Sequence, residues 1–427
     1  MPTTFPLLRS EIAGVSVLDL ARRYGTPTFV YDAAKILQRI EDLRAFDHIR
    51  YAQKANSNLA ILDLVRRQGV LVDTVSAGEI RRAKAAGYQV AGRPPPIVYT
   101  ADIFDRETLD LVVEMGLHVN CGSPDMIDQL GERSPGREIT LRINPGFGHG
   151  HSQKTNTGGE QSKHGIWHEQ LGDCLRRADR HGLAVTGLHL HIGSGTDLDH
   201  LSQVCGAMER LARDVGSSLT SISAGGGLPV PYKAGESYVD LGVYYELWDS
   251  TRRRLQDALG HAVGLEIEPG RYLVAESGYL VCEIRAIKQM GGNTFYLLDA
   301  GFNNVARPIL YGAYHPMSIV PGKLDGPPAN GRQRPLADVV VGGPLCESGD
   351  IFTQAEGGFV CTRSLPAAEV GELLLIENAG AYGFAMSSNY NSKPLAAEVL
   401  IHQGQPHLVR RRQTFDDLVR EESLPAW

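Results

Sequence analysis

Between residues 26 and 270 the chain repeats one pattern eight times: a short β-branched or apolar run, then a longer amphipathic stretch. The runs are 49–54 (IRYAQK), 71–75 (LVDTV), 97–100 (IVYT), 117–121 (LHVNC), 138–143 (EITLRI), 185–191 (VTGLHLH), 221–224 (SISA) and 264–268 (GLEIE). Strands separated by helix-length segments pair in parallel, because a parallel neighbour needs a crossover of about a dozen residues or more. Eight such units over this length predict a closed (β/α)8 barrel, the TIM-barrel architecture of the α/β class. A doubly wound open sheet is the alternative, and it usually closes with fewer strands. Two intervening segments carry clear helix signals. Residues 57–68 (SNLAILDLVRRQ) open on a Ser57 cap and stop at Gly69, and residues 77–86 stop at Gly87.

After about residue 272 the helices drop out. Strand-like runs at 279–287, 294–299, 338–341 and 372–376 are divided by Gly/Pro turns, with 321–335 the richest in both residues. The expected organisation is a barrel over residues 26–272 and a mainly β domain over 273–427, the latter joined by residues 1–25.

Composition removes several function classes. Lys and Arg number 42 against 49 Asp and Glu, a net charge of −7, so there is no basic footprint for nucleic acid or an anionic membrane. No apolar run approaches the roughly 18 residues that span a bilayer. The start, MPTTFP, lacks a leader's basic and apolar regions, so a cytoplasmic location is expected. The 6 cysteines are scattered, at Cys121, Cys174, Cys205, Cys282, Cys346 and Cys361, with no Cys-x-x-Cys pair. That spacing suits free thiols in a reducing compartment better than disulfides or zinc. The segment 144–165 (NPGFGHGHSQKTNTGGEQSKHG) is too polar and glycine-rich for a core element and long for a structureless link, which marks it as functional.

Barrel enzymes build their sites at the C-terminal ends of the strands. Lys54 ends the first strand; it is either a solvated lysine or a Schiff-base amine, which must be partly desolvated to react. His189 and His191 alternate on the sixth strand and face one way. They suit a metal pair, two core histidines, or a ring-stacking imidazole before the Gly193-Ser194-Gly195 turn. No carboxylate with ligand spacing accompanies them, which favours stacking. Gly225, Gly226 and Gly227 follow the seventh strand and Glu268-Pro269-Gly270-Arg271 follows the eighth, the two loops where barrels often bind phosphate. A glycine triplet alone is more often a turn, and no Gly-Lys-Ser/Thr follows to make a nucleotide loop. Together, Lys54, His191, the glycines and Glu268 describe a ligand with an aldehyde, a flat ring, a phosphate and a ring nitrogen. Pyridoxal 5'-phosphate fits all four. A carboxylate at the pyridine nitrogen keeps the ring protonated and strongly electron-withdrawing, which suits decarboxylation better than racemisation.

The motifs YAQKAN (51–56), NPGFGHGHSQKTNTGGE (144–160), SKHGIW (162–167), HIGSG (191–195), SAGGGL (223–228) and EIEPGR (266–271) continue into the β domain. There they are DAGFN (299–303), GPLCESGD (343–350), GAYG (380–383) and SSNYNS (387–392). In this order they resemble the diaminopimelate decarboxylases, fold-type III pyridoxal-phosphate enzymes, and within them the Gram-negative bacterial form. The resemblance covers nearly the whole chain. It implies a β-sandwich-like second domain and a homodimer whose active sites are shared between subunits. It implies Lys54 as the cofactor's lysine, His191 as its stacking partner, and Ser194 and Gly225 to Gly227, assisted by Gly270, at the phosphate. Glu268 would meet the ring nitrogen. Arg271, Arg307 and Tyr311 would take the substrate's distal carboxylate, Glu347 its distal ammonium, and Tyr382 both cofactor and substrate. Cys346 would be the proton donor, arriving with Glu347 from the partner. Lys163 would line the mouth of the site, and His149, His151 and His164 carry no metal in this reading. The implied reaction converts meso-2,6-diaminopimelate to L-lysine. The alternative is a related decarboxylase of ornithine, lysine, arginine or a carboxylated polyamine, and a bare pyridoxal-phosphate carrier is disfavoured by the extra β domain.

Overall fold

The computed structural model describes residues 3–148, 158–191, 197–326 and 334–427. The chain divides into two compact units, one of residues 37–229 and 238–273, the other of residues 1–36, 230–237 and 274–427.

The first unit is the barrel. Its strands are His48–Ala52, Leu71–Thr74, Ile97–Ala101, His118–Cys121, Glu138–Asn144, Ala184–Leu190, Ser221–Ser223 and Gly264–Ile267. Each lies parallel to the next, and the ring closes where Glu266 and Ile267 pair with His48 and Ile49. The open-sheet alternative is thereby removed. Strands buried on both faces are rich in apolar and β-branched residues, and all eight were visible in the sequence as short runs of them. A two-residue strand, Ile166–Trp167, adds to the edge of the fifth.

The helices keep the predicted stops but not every predicted cap. Helix Leu59–Arg67 is capped by Asn58, whose side chain accepts from the Ala60 N–H at 2.9 Å, not by Ser57. Helix Ala77–Ala85 starts on Ser76, whose hydroxyl accepts from the Glu79 N–H, while the Glu79 carboxylate accepts from the Val75 N–H.

The second unit is mainly β. Its spine is the 13-residue strand Gly278–Met290, antiparallel first to Thr28–Asp32 and Glu372–Ile376 and then to Asn293–Leu298. Thr28–Asp32 also pairs in parallel with Ala397–His402. The strand at 28–32 thus belongs to the β unit, whereas a barrel beginning at residue 26 would have included it. Its core gathers Val17, Leu20, Val30, Val281, Val320, Leu373, Leu375, Val399 and Ile401.

Candidate active site

In the barrel, the first strand stops at Ala52, two residues earlier than the sequence suggests, and Lys54 sits in the short 3-10 turn Gln53–Ala55. Gln53 and Ala55 are fully buried while Lys54 is exposed, so the turn anchors its flanks and presents the amine. The Ala52 N–H donates to Pro269 O at 3.1 Å, and a Cβ on Gly270 would lie 3.1 Å from Ala52 O. The Glu-Pro-Gly-Arg turn therefore packs directly against the strand end that carries Lys54. The Lys54 charge is felt by Asp73, Glu79 and His191.

Glu268 is buried, and each of its oxygens is held from within the barrel wall. His189 Nε2 meets Oε2 at 2.9 Å, and the Ser223 hydroxyl donates to Oε1 at 3.0 Å. Burial alone raises a carboxyl pKa. Burial is the largest single influence on Glu268, but His189, the Arg50 charge and the Ser223 hydroxyl together exceed it and push the carboxyl down to about 2. Asp73 goes the other way. Burial, then the negative charge of Glu268, pushes it up to about 8, and its Oδ1 has no hydrogen-bond partner among the described residues. The two buried carboxyls are thus pushed in opposite directions, Glu268 toward its ionised form and Asp73 toward its neutral one.

The histidine pair divides along the strand. His189 is committed to Glu268, while His191 Nδ1 accepts from the Gly226 N–H at 3.2 Å. Desolvation, reinforced by the positive charges of Arg142 and Lys54, keeps the His191 pKa well below the ordinary imidazole value. A neutral flat ring suits stacking rather than ion pairing.

The glycine turn differs in detail from the sequence expectation. Gly225 N–H donates to Ser223 Oγ at 3.1 Å and Gly226 N–H to His191, so two of the three amides expected at a phosphate are engaged within the protein. The glycines have a second reason to be there. Gly225 has φ +62°, and a Cβ on it would lie 2.5 Å from Leu190 O; one on Gly226 would lie 2.5 Å from Glu268 O. The turn is thus clamped between the ends of the sixth and eighth strands. Arg271 opens the short helix Arg271–Val274, and its Nε is buried without a partner among the described residues. Ser194, His149 and His151 lie outside the described residues. His164 pairs its Nδ1 with Asp102 Oδ2 at 2.7 Å, and the second oxygen of Asp102 takes the Gly165 N–H at 2.9 Å. Lys163 is exposed nearby in sequence. Asn144 closes the base of the 144–165 segment, bonding to the backbone of Gly146, Gly159 and His164.

In the β unit, Arg307 is buried at the start of helix Arg307–Tyr311, its guanidinium bonded to Tyr232 Oη at 3.1 Å and His315 Nε2 at 3.0 Å. Tyr311 is exposed. Tyr382 adopts φ +57°, which costs a bulky residue energy and is characteristic of functional positions. Cys346 and Glu347 are exposed on a loop organised by Asp350, whose carboxylate accepts from the Leu345 and Phe302 N–H groups at 2.8 and 2.7 Å. The Cys346 N–H donates to Asn391 Oδ1 at 2.9 Å, and the Cys346 and Glu347 side chains make no hydrogen bond among the described residues. Sequence reasoning missed Asp73, Ser223 and Arg50. The signal for two of them was present, as charged residues inside otherwise apolar strands.

An exposed lysine past the first strand of a closed barrel, a neutral histidine and a buried glutamate are the donor set that the comparisons connect with pyridoxal-dependent enzymes. Residues 33–275 match the family model "Pyridoxal-dependent decarboxylase, pyridoxal binding domain". The chain is 54% identical over 421 residues to the diaminopimelate decarboxylase of Streptomyces coelicolor, covering 99% of this chain and 94% of that one. It is 52% identical over 427 residues to that of Escherichia coli K12, covering 99% and 100%. A crystal structure of diaminopimelate decarboxylase superposes with TM-score 0.91 at 54% identity, covering 95% and 96% of the two chains. That of the Helicobacter pylori enzyme complexed with L-lysine gives 0.84 at 29%, covering 95% and 98%. The chain belongs to the diaminopimelate decarboxylase family.

Proposed function

We propose that this chain decarboxylates meso-2,6-diaminopimelate to L-lysine and carbon dioxide, the last step of lysine biosynthesis, with pyridoxal 5'-phosphate as cofactor. The observation that carries the reading is the buried Glu268, held toward its ionised form in a barrel that also presents Lys54 and a neutral His191, in a chain 54% identical to a diaminopimelate decarboxylase. The barrel's donor set fits the cofactor: an accessible amine for its aldehyde, a neutral ring for its face and a carboxylate for its ring nitrogen. When bound, pyridoxal phosphate supplies an electron sink for the bond being broken.

Lys54 would hold the cofactor through its aldehyde, His191 would stack on its ring, and Glu268 would favour protonation of the ring nitrogen. Gly227, Gly270 and Ser194 would meet the phosphate, with Gly225 and Gly226 shaping the turn. Arg271, Arg307 and Tyr311 bind the substrate's distal carboxylate and Glu347 its distal ammonium, so that binding energy fixes which carboxylate leaves. Tyr382 contacts cofactor and substrate. Cys346 returns a proton to the carbon that has lost carbon dioxide. Its exposed side chain, and that of Glu347, supports a homodimer in which each subunit completes its partner's site. A cytoplasmic enzyme accords with the unpaired cysteines, and no helix among the described residues is long and apolar enough to cross a membrane.

The test is incubation with meso-diaminopimelate and pyridoxal phosphate, following carbon dioxide and the chirality of the lysine formed. L-lysine alone supports the reading. Faster turnover of ornithine, lysine, arginine or a carboxylated polyamine overturns it.

A further inference from the structure

We infer that His189 is a positioning residue, whose Nε2–H keeps Glu268 turned and ionised toward the cofactor's ring nitrogen. This rests on the reading above that Glu268 meets that nitrogen.

His189 is 2% exposed on the sixth strand, two residues before His191. Its Nδ1 has no hydrogen-bond partner among the described residues, so the ring's contribution to the site is the 2.9 Å contact from Nε2 to Glu268. A carboxylate offers about four lone-pair positions. His189 occupies one on Oε2 and Ser223 one on Oε1, both from inside the barrel, which fixes the carboxylate plane and leaves its remaining lone pairs for an outside partner.

The proton between a buried carboxylate and a pyridine nitrogen can rest on either atom. Donors aimed at the carboxylate favour its ionised form, so the proton rests on the ring. Without His189, desolvation favours a neutral Glu268 and an unprotonated, weaker electron sink. The His-x-His spacing then has two separate uses: one imidazole for the cofactor's face, the other for the acid behind its nitrogen. A histidine that merely filled the barrel would affect stability alone.

The experiment loads wild type, His189→Leu, His189→Gln and Ser223→Ala with pyridoxal phosphate labelled with 15N in the ring, and reads the ring-nitrogen resonance and the cofactor dissociation constant. Wild type is expected to show a pyridinium. His189→Leu shifts the resonance toward neutral pyridine and weakens cofactor binding about tenfold or more, the loss of one hydrogen bond to a charged group. His189→Gln, which keeps an N–H donor, recovers part of both. If the leucine variant does not fold, Ser223→Ala removes the other donor and is expected to shift the resonance the same way. A pyridinium and wild-type affinity retained in every folded variant overturn the inference and leave the site reading standing. A neutral ring in wild type overturns the reading of Glu268 and the inference with it.

Discussion

Replacing Arg50 by methionine isolates the cost of an unpaired charge within the barrel. Arg50 is 2% exposed and makes three bonds: Nε to Glu266 Oε2 at 3.1 Å, a terminal nitrogen to Oε1 at 3.2 Å, and the other to Pro95 O at 2.8 Å. Methionine fills much of the same volume but strands the Glu266 carboxylate and a carbonyl. Breaking one side of a buried pair costs about 3–5 kcal/mol. A cavity of about 230 Å³ at the N-terminal end of the strands borders Arg50, His118 and Glu266, and water entering it offsets part of that cost. The expected loss is therefore near the lower end, about 3 kcal/mol, or a fall in melting temperature of roughly 6–12 °C for a barrel of this size. Removing the partner as well, in Arg50→Met/Glu266→Leu, is expected to recover all but about 1 kcal/mol, the remainder being the Pro95 carbonyl left without its donor. Urea denaturation of the apoenzyme measures all three proteins. A loss below about 1 kcal/mol in the single variant, or a double variant no better than the single, would refute the argument. A second readout is independent of stability. Burial, then the Arg50 charge, pushes His118 down to about 4, so its NMR titration should move up in Arg50→Met.

The remaining predictions concern other groups. Asp73 has a folded pKa of about 8 against an ordinary value of roughly 4, so the neutral carboxyl favours folding at low pH and that contribution is lost as pH rises through about 8. Asp73→Asn should flatten the apoenzyme's stability between pH 5 and pH 9, and an unchanged slope counts against the assignment. Gly380→Ala would place a Cβ 1.8 Å from Val274 O and should destabilise the β unit by about 3 kcal/mol, read by chemical denaturation. Lys54→Ala should abolish turnover and the visible absorbance of bound cofactor. Mixing inactive Lys54→Ala with inactive Cys346→Ala should restore some activity through hybrid dimers, and no recovery after confirmed subunit exchange refutes shared sites.

The barrel was legible because each strand is a short β-branched or apolar run, only locally interrupted by a polar residue such as Arg50 or Asp73, set between helix-length segments. Thr28–Asp32 shows why boundaries were harder. TFVYD reads like any barrel strand, and only its pairing with residues 278–281 and 397–401 assigns it to the β unit. The strand Met317–Lys323 was missed because its Val-Pro-Gly reads as a turn, and a bulge in its pairing accommodates it. At the site, residue types announced the chemistry but not the partnerships. Nothing in the spacing of His189, Ser223 and Glu268 says that they meet, since adjacency across a closed barrel depends on strand order and register. The same holds for the Gly226 amide, whose acceptor, His191, follows a neighbouring strand, while the Gly225 amide turns back on Ser223 of its own strand.

The strand Thr28–Asp32 also sets a timetable. It leaves the ribosome early, yet one of its two neighbours, Ala397–His402, is made on the order of 20–70 s later at about 5–20 residues per second. The barrel sequence is complete long before then. Throughout that interval TFVYD has an unfilled edge and high β propensity, the features that recruit a second nascent chain. The interleaving that ties residues 28–32 and 397–402 into one sheet leaves an early, sticky strand in need of protection until synthesis is nearly finished.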